Sequence, residues 1–427
     1  MAWFFRNIIS SNWGDVRNWN SSFKFTGTTP TYVPWTTVDT AGDDLGLSLG
    51  SSIPILNVNI GSSTGAWTIS GICNINSLTN MVNIYSGNFS GNYIANRGYI
   101  YGGTFSGDHF SNATVVHSGL QHQGIINGGI FTGNYFINGG GIINGGSFVN
   151  VTNNFGIING GSFDVSGGAI FSVVNQNGII NNGTFTSVQN LGGTIFNGSF
   201  SDICECDYYY GGTVIYGGTF NGGLLLTSDA HVYGGIFSGP CTFYISCYIE
   251  GGIFLSDNIA NYGQIDGGIF NGSGFMNGDG GTKYQGYIHG GTFNGDVTNN
   301  ASSIIDGGIF NGNIINNDTI SGGNFYASNI DGIGIIVGGN WYGTNFTNSN
   351  AVSGGNWYGS NFTNNGIVYA GTFYCNGFTN NAVIYGGAFG PDVVRLSIIN
   401  KTLSISGFGI TMYQNIPKLD VMGGGLL

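Results

Sequence analysis

The sequence predicts an all-β protein, a parallel β-solenoid of about 16-residue coils with a small N-terminal β module and a C-terminal cap. Three observations lead to this fold class. Glycine is abundant, with 81 among 427 residues, and charged residues make up only 7% of the chain. One short phrase also returns at a nearly fixed interval along most of the sequence. We expect the coils to form a right-handed β-helix.

The repeated phrase is an aliphatic pair, a polar residue, two glycines, a small residue and an aromatic residue, as from Ile125 to Phe131. Towards the C-terminal end its aromatic residue recurs at a constant interval. This step, about 16 residues, is too short for helical repeats, which need about 33 residues or more, and it fits one turn of a β-solenoid. We therefore expect an internal aromatic stack, the structural core ladder, formed by Phe325, Trp341, Trp357, Phe373 and Phe389.

Within one coil the large apolar residues recur about five to six positions apart, as Trp357, Phe362 and either Ile367 or Val368 do. That spacing places one inward side chain on each of two or three short strands. Glycine and asparagine fall between these positions, where the chain must turn. Asparagines at such corners, Asn364 among them, are expected to pair their side-chain amides from coil to coil.

The two ends of the chain depart from this pattern. Residues 1–54 hold three of the eight basic residues and several tryptophans, and we interpret them as an N-terminal Trp-rich attachment or cap module. Residues 55–390 form the predicted β-solenoid. Residues 391–427 form a C-terminal cap or tail, because a solenoid needs caps over its open sheet edges. The predicted attachment anchors are Trp3, Trp13 and Trp19, since large aromatic residues dominate contacts at interfaces.

The distribution of charge restricts the partners. The net charge is −12, and Lys283 is the only Lys or Arg between Arg97 and Arg395. Nucleic acid is excluded as a partner because its binding requires Lys and Arg to neutralise phosphates. No membrane partner is expected, since cations for anionic lipid are scarce and no apolar stretch approaches about 18 residues. The start also lacks the pattern of a signal peptide, which argues against the general secretory route.

No cofactor is expected, and no catalytic or metal-binding residue is assigned. The six cysteines follow no regular spacing. The pair Cys204 and Cys206 could hold a soft metal, but buried thiols of a reduced chain are the preferred interpretation. The motifs of hydrolases, zinc proteases and nucleotide-binding loops do not occur in a suitable context.

One outward position, directly before the glycine pair, collects ionisable residues. In successive coils it would form a surface column, with carboxylates about 5 Å apart on adjacent coils and about 10 Å apart on alternate coils. Both separations are near those of glycosidases. The column is therefore a candidate glycan or cation row, although turn-forming residues would give the same pattern at any surface corner. Its members are Tyr216, Tyr233, Glu250, Asp266, His289 and Asp306.

The phrases GGIFNG, GGTFNGDVTNN and GIINGGSF resemble the β-helical repeats of phage and bacterial surface proteins. The opening, from Trp3 to Asn7 with Trp13 and Trp19 following, looks like the Trp-Asn-rich N-termini of marine phage structural proteins. This resemblance implies a non-enzymatic virion fibre, appendage or capsid decoration protein. It further implies contacts with other virion structural proteins, and a host surface glycan is a candidate ligand. A homo-oligomer is expected because non-closing rods with uncharged faces gain stability by bundling, and a trimer is favoured because trimers are usual for fibres.

Two other functions fit the same architecture. The first is a bacterial surface adhesin or extracellular filament protein, which would place the chain at the cell surface. The second is a polysaccharide-binding or depolymerising tailspike. A depolymerase needs a pair of carboxylates, and Asp266 and Asp306 are the candidates in this sequence.

Overall fold

All of the regular secondary structure in the computed structural model is β-strand, and among the described residues there is no helix. None of these residues therefore belongs to a helix that could cross a membrane. The structure describes residues 38–41, 45–48, 53–61, 66–80, 83–117, 120–167, 169–207, 212–227, 229–281, 283–390, 396–399, 411–412 and 419–422.

The chain forms two compact units, Met1–Asn221 and Gly222–Leu427. The described strands of the first unit are Val38–Ala41, Leu45–Ser48, Ile53–Gly61, Ala66–Asn80, Asn83–Asn96, Tyr99–Ile100, Thr104–His117, Leu120–Gln123, Ile125–Ile126, Ile130–Phe131, Tyr135–Gly139, Ile142–Ile143, Ser147–Val149, Val151–Asn154, Ile157–Ile158, Ser162–Asp164, Val173–Gln176, Ile179–Ile180, Thr184–Phe185, Val188–Leu191, Thr194–Ile195, Ser199–Phe200, Cys204–Asp207, Val214–Ile215 and Thr219–Phe220.

The described strands of the second unit are Leu224–Leu226, His231–Val232, Ile236–Phe237, Cys241–Phe243, Tyr248–Ile249, Ile253–Phe254, Ala260–Asn261, Gln264–Ile265, Ile269–Phe270, Phe275–Asn277, Tyr287–Ile288, Thr292–Phe293, Val297–Asn299, Ile304–Ile305, Ile309–Phe310, Ile314–Asn316, Thr319–Ile320, Asn324–Phe325, Asn329–Asp331, Ile335–Ile336, Asn340–Trp341, Asn345–Asn348, Ala351–Val352, Asn356–Trp357, Asn361–Asn364, Ile367–Val368, Thr372–Phe373, Gly377–Asn380, Val383–Ile384, Ala388–Phe389, Leu396–Ile399, Thr411–Met412 and Leu419–Met422.

Strands of the first unit pair in parallel with the equivalent strand of the next coil. Phe148 is the register partner of Phe163, and Phe163 is the partner of Phe185 although the sequence between them is longer. Longer spacings therefore arise from insertions between strands that remain paired. One insertion forms an antiparallel hairpin, in which Thr104–His117 pairs with Leu120–Gln123. Parallel pairing also joins Val38–Ala41 to Ile53–Gly61.

The second unit has the same arrangement with a more regular step. The register partners of Asn345, Phe346, Thr347 and Asn348 lie one coil later and are Asn361, Phe362, Thr363 and Asn364. The predicted fold class, an all-β solenoid whose parallel strands recur once per short coil, is therefore confirmed. Its right-handedness stays a prediction.

In a regular coil the first and third strands each contribute one inward side chain, and the middle strand contributes two, as Phe362 and Asn364 do in Asn361–Asn364. The inward side chain of the first strand is aromatic. In the first unit the rings of Phe89, Phe105, Phe131, Phe148, Phe163, Phe185, Phe200 and Phe220 stack at centroid distances of 4.4 to 5.0 Å. In the second unit the column begins with Phe237, Phe254, Phe270, Phe293 and Phe310, at 4.6 to 4.9 Å. These rings are at most 2% exposed, so the columns are continuous apolar cores.

One of the two inward columns of the middle strand is polar and equally buried. In the first unit Nδ2 of each asparagine donates to Oδ1 of the next across 2.7 to 2.8 Å, along Asn80, Asn96, Asn112, Asn138, Asn153, Asn175 and Asn190. The second unit repeats the arrangement along Asn261, Asn277, Asn299 and Asn316, and again along Asn348, Asn364 and Asn380. None of these side chains is more than 3% exposed. Buried amides are tolerated because each is hydrogen-bonded to a neighbouring amide of its row, and the amides at row ends also bond to the backbone, as Asn190 does to Gly193.

The inward column of the third strand is aliphatic. Alternation along each short strand determines which of its two residues faces inward. In Ile367–Val368 the inward residue is Val368, which is fully buried. Glycines close the corner before the aromatic strand. A Cβ on Gly355, whose φ is +106°, would stand 3.0 Å from Trp357 and 3.1 Å from the carbonyl oxygen of Gly339. Only glycine fits this corner without displacing the core ladder.

Candidate functional site

The five residues of the structural core ladder lie in one inward column of the second unit. Ring centroids are 3.9 Å apart from Phe325 to Trp341, 6.2 Å from Trp341 to Trp357, 4.7 Å from Trp357 to Phe373 and 5.1 Å from Phe373 to Phe389. Adjacent planes are within 19° of parallel. These residues are therefore structural. They rigidly support the outward side chains that lie on either side of them in the sequence.

Five members of the candidate glycan or cation row lie in successive coils of the second unit. Each directly follows one strand of a parallel series in which register partners are consecutive. The five are Tyr233, Glu250, Asp266, His289 and Asp306. The sixth, Tyr216, belongs to the first unit, where its ring stacks on Phe196 at 4.9 Å.

The ionisable members of the row are engaged with neighbours on an exposed face. Nδ1 of His289 lies 2.5 Å from Oδ1 of Asp306, and the two side chains are 38% and 41% exposed. Gln264 donates from Nε2 to both carboxylate oxygens of Asp266 at 2.9 Å. Glu250 makes a similar contact with a histidine one coil earlier. The row therefore presents hydrogen-bonding groups to solvent.

The order of the row bears on catalysis. His289 lies in the coil between those of Asp266 and Asp306, and its ring nitrogen contacts Asp306. The two carboxylates that a depolymerase would need are therefore separated by an imidazole in the same column. Asp306 is thus engaged by the imidazole on an exposed face.

The predicted attachment anchors Trp3, Trp13 and Trp19 lie outside the described residues.

Five cysteines are buried in the interior: Cys204, Cys206, Cys241, Cys247 and Cys375. Cys204 and Cys206 lie on the inward side of one strand, and the contact with Cys206, together with burial, raises the pKa of the Cys204 thiol well above its usual range. Burial raises the pKa of Cys241 and of Cys375 to about 12. Within the described parts of the chain, no three His, Cys, Asp or Glu side chains are grouped so as to hold a metal ion. The thiols of Cys204, Cys241 and Cys375 are thus protonated at neutral pH, which suits their place in the core.

The sequence reasoning missed a second outward feature, a column of stacked tyrosines in the second unit. Tyr326, Tyr342, Tyr358 and Tyr374 each directly follow a member of the core ladder and point to the opposite side of the sheet. Their ring centroids are 4.9, 5.1 and 5.3 Å apart, with planes within 12° of parallel. The first three are 51%, 42% and 45% exposed. The rings stack on each other, so their edges and hydroxyl groups face solvent.

Rows of asparagine run along both sides of this tyrosine column. On one side Asn340 donates to Asn324, and Asn356 donates to Asn340, each across 3.0 Å. On the other side Asn345 and Asn361 continue a row that begins at Asn329, with amide contacts of 3.1 Å. We call the tyrosine column and the two asparagine rows together the Tyr–Asn face.

An open groove of about 530 Å³ runs along the glycine corner beside the first asparagine row. Its walls include Gly339, Gly355, Asn340, Asn356 and Thr372. Because the corner residues lack side chains, the outward amides of Asn340 and Asn356 border the groove directly. The groove and the Tyr–Asn face therefore form one continuous surface.

The core behind this surface contains two unusual polar groups. The indole Nε1 atoms of Trp341 and Trp357 are buried, and no described residue places an acceptor within hydrogen-bond distance of either. A buried donor without a partner costs about 1 to 3 kcal/mol. Phenylalanine occupies the neighbouring positions of the same column, so the indoles are not required for stacking.

No family model matches this chain, and no curated protein or solved structure matches it either.

Proposed function

We propose that this chain is a non-enzymatic structural protein, a β-solenoid component of a virion fibre, appendage or capsid decoration that presents its surface to the host receptor. The observation that supports the proposal is the coil-to-coil continuity of the interior. In both units an aromatic column runs from coil to coil, and buried amide rows join many of the same coils. Such interiors hold outward residues at fixed spacing, which is the property of a display scaffold.

The interior bonds also suit exposure outside a cell. A chain of amide hydrogen bonds within a dry core contributes about 1 kcal/mol per bond, and burial of each aromatic ring contributes more. These interactions involve no charge, so salt and moderate changes of pH leave them intact. A structural protein of a virion encounters changes of salt concentration and of pH after the particle is released.

The assignment to a virion, ahead of a bacterial adhesin or extracellular filament, is supported by the resemblance of the N-terminal segment and the glycine phrases to phage structural proteins. In this role the chain contacts other virion structural proteins and copies of itself, as a trimer. Neither nucleic acid nor a membrane is a partner, because Lys283 is the only Lys or Arg from residue 98 to residue 394.

Location can be tested directly. Antibodies raised against the purified chain would be applied to purified particles of the virus that encodes it and examined by immunogold electron microscopy, with mass spectrometry of the same particles. Labelled particles that contain peptides of the chain are the expected result. Labelled host cell envelopes together with unlabelled particles would contradict the proposal and favour the adhesin.

Catalysis can be tested separately. The purified chain is expected to release no reducing ends from bacterial surface polysaccharides. The double variant Asp266→Ala/Asp306→Ala provides the control: cleavage by the natural chain that disappears in this variant would establish a depolymerase and overturn the non-enzymatic assignment.

A further inference from the structure

The Tyr–Asn face carries chemistry for a specific class of ligand, and we propose that it binds a neutral polysaccharide chain along the direction in which the coils stack. The inference rests on the proposed function only in taking this face to be exposed to the host. The binding site itself is inferred from the side chains of the second unit.

The absence of charge determines the class of ligand. From Gly322 to Thr372 the sequence contains one charged residue, Asp331, and no Lys, Arg or His. Recognition of a nucleic acid, an acidic polysaccharide or a phosphorylated peptide would need cations opposite its anionic groups. A surface of phenols, amides and hydroxyls offers none, so its complementary ligand is itself uncharged.

The amides determine what the neutral ligand must contain. Each asparagine amide has two N–H donors and two acceptor positions on its oxygen. Asn340 uses one donor towards Asn324 and one acceptor position towards Asn356. One donor and one acceptor position therefore remain for a ligand at this coil. A pair of adjacent sugar hydroxyls, each able to donate and accept, matches that combination, whereas a purely apolar ligand would leave both unpaired.

The tyrosines supply the aromatic part of the site. Edges of aromatic rings carry partial positive charge, and the phenol oxygen both donates and accepts. The column of Tyr326, Tyr342, Tyr358 and Tyr374 thus provides ring edges and hydroxyls in alternation with the amide rows. Sugar oxygens can contact the positive edges, and sugar hydroxyls can exchange hydrogen bonds with the phenols.

The repetition indicates a polymer rather than a single sugar. Residues 338–348 read GGNWYGTNFTN and residues 354–364 read GGNWYGSNFTN, which differ only by Thr344 in place of Ser360. Adjacent coils therefore present two nearly identical subsites, with Tyr342 and Tyr358 5.1 Å apart. A chain of repeating sugars would occupy both, and binding at the second subsite would add to the affinity without a new kind of contact.

The experiment uses the full-length chain in affinity electrophoresis against soluble dextran, laminarin, mannan and galactan, with alginate and heparin as acidic probes. Retardation by at least one neutral polysaccharide is expected, with little change when salt is increased, because no ion pairs are involved. Tyr342→Ala/Tyr358→Ala is expected to weaken this binding by about tenfold or more, through loss of ring contacts and hydrogen bonds at both subsites.

A matched control and a conservative variant keep the result interpretable. Tyr99→Ala/Tyr101→Ala removes two similarly exposed tyrosines from the first unit and should leave binding unchanged. Tyr342→Phe/Tyr358→Phe retains the stack, so it should fold, yet it should bind about fivefold more weakly because the hydroxyls are lost.

Three outcomes would overturn the inference: retardation by acidic probes alone, no retardation by any neutral probe, or equal binding by the natural chain and the Ala and Phe variants at Tyr342 and Tyr358. Each of them would leave the location of the chain in a virion unaffected. Conversely, a chain that binds a neutral polysaccharide but is missing from particles would contradict the proposed function without contradicting the proposed binding site.

Discussion

Asn348 donates from Nδ2 to Oδ1 of Asn364 across 2.7 Å inside the core, and Asn364 donates in the same way to Asn380 across 2.6 Å. Asn364 is fully buried, and its oxygen also accepts from the backbone N–H of Gly366. Its side chain therefore satisfies groups in its own coil and in the coils on either side. This one residue links three coils.

The first prediction concerns this link. Asn364→Leu should lower the free energy of unfolding by about 3 kcal/mol or more, because Asn348, Asn380 and a backbone N–H would each lose a buried partner. Urea unfolding followed by circular dichroism measures the change. Asn381→Leu is the control, since Asn381 donates to Asn365 in an exposed row and should change stability by less than about 1 kcal/mol. Equal effects of the two substitutions would contradict the structural role of the buried row.

The second prediction concerns the aromatic column. Phe373→Ala should cost about 3 to 5 kcal/mol, because the ring is fully buried between Trp357 and Phe389 and its removal leaves a cavity. Tyr369→Ala, which removes a ring that is 50% exposed, should cost about 1 kcal/mol or less. Thermal unfolding of the two variants would show whether Phe373 is a core residue. A small effect at Phe373 would mean that the predicted register of the repeat is wrong.

The fold could be predicted because its signal is periodic. Phe373 and Phe389 are one repeat interval apart in the sequence and adjacent in the structure, since parallel stacking converts a constant sequence interval into a column. The buried asparagines were harder to interpret. Asn364 is predicted from its residue type to lie at a corner, because asparagine favours turns. In the structure it is the last residue of the strand Asn361–Asn364 and faces inward, since a partner in each adjacent coil removes the cost of burying its amide.

The Tyr–Asn face could not be derived from residue types alone. The predicted inward position of Trp341 places Tyr342 outward by alternation. It does not show that the outward tyrosines of successive coils stack or that asparagine rows border them. The carboxylate row was easier to find, because the residue before two glycines has a fixed orientation. That position identifies Glu250 and Asp266 but not the tyrosines that follow the core ladder.

The third prediction concerns the indoles of the core ladder. Trp341→Phe should change the free energy of unfolding by no more than about 1 kcal/mol, because the lost ring area is offset by removal of a buried N–H that has no acceptor among the described residues. Trp341→Ala should cost about 3 to 5 kcal/mol. Calorimetric melting of both variants measures the difference. A large loss in the Phe variant would show that the indole N–H makes a bond that the core depends on.

The fourth prediction is a loss of stability at alkaline pH. Burial raises the pKa of Cys241 and Cys375 from 9.0 to about 12, so between these values the folded chain retains protons that the unfolded chain releases. The stabilisation is complete below about pH 9 and decreases as pH rises towards 12, by about 1.4 kcal/mol per pH unit for each thiol.

Urea unfolding at pH 8 and pH 10 would measure this decrease. The variant Cys241→Ala/Cys375→Ala should be less stable at pH 8 but should lose less stability between the two pH values than the natural chain. Identical losses in the two proteins would show that the thiols do not titrate differently in the folded state.

The last prediction concerns attachment to the particle. Cations are concentrated near the two ends of the sequence, at residues 6 to 24 and 395 to 418, while the segment between residues 98 and 394 has Lys283 alone. Association with an acidic assembly surface is accelerated and oriented by cations, and tryptophans provide strong contacts once docked. Residues 1–54 contain both cations and tryptophans, so a chain that lacks these residues should fail to join the particle while it remains β-rich by circular dichroism.

The substitutions Trp3→Ala, Trp13→Ala and Trp19→Ala, made together in the full chain, should also reduce incorporation into the particle. Deletion of residues 391–427 is the matched control for the other basic end. Normal incorporation of the chain without residues 1–54 would assign docking to that end or to the solenoid.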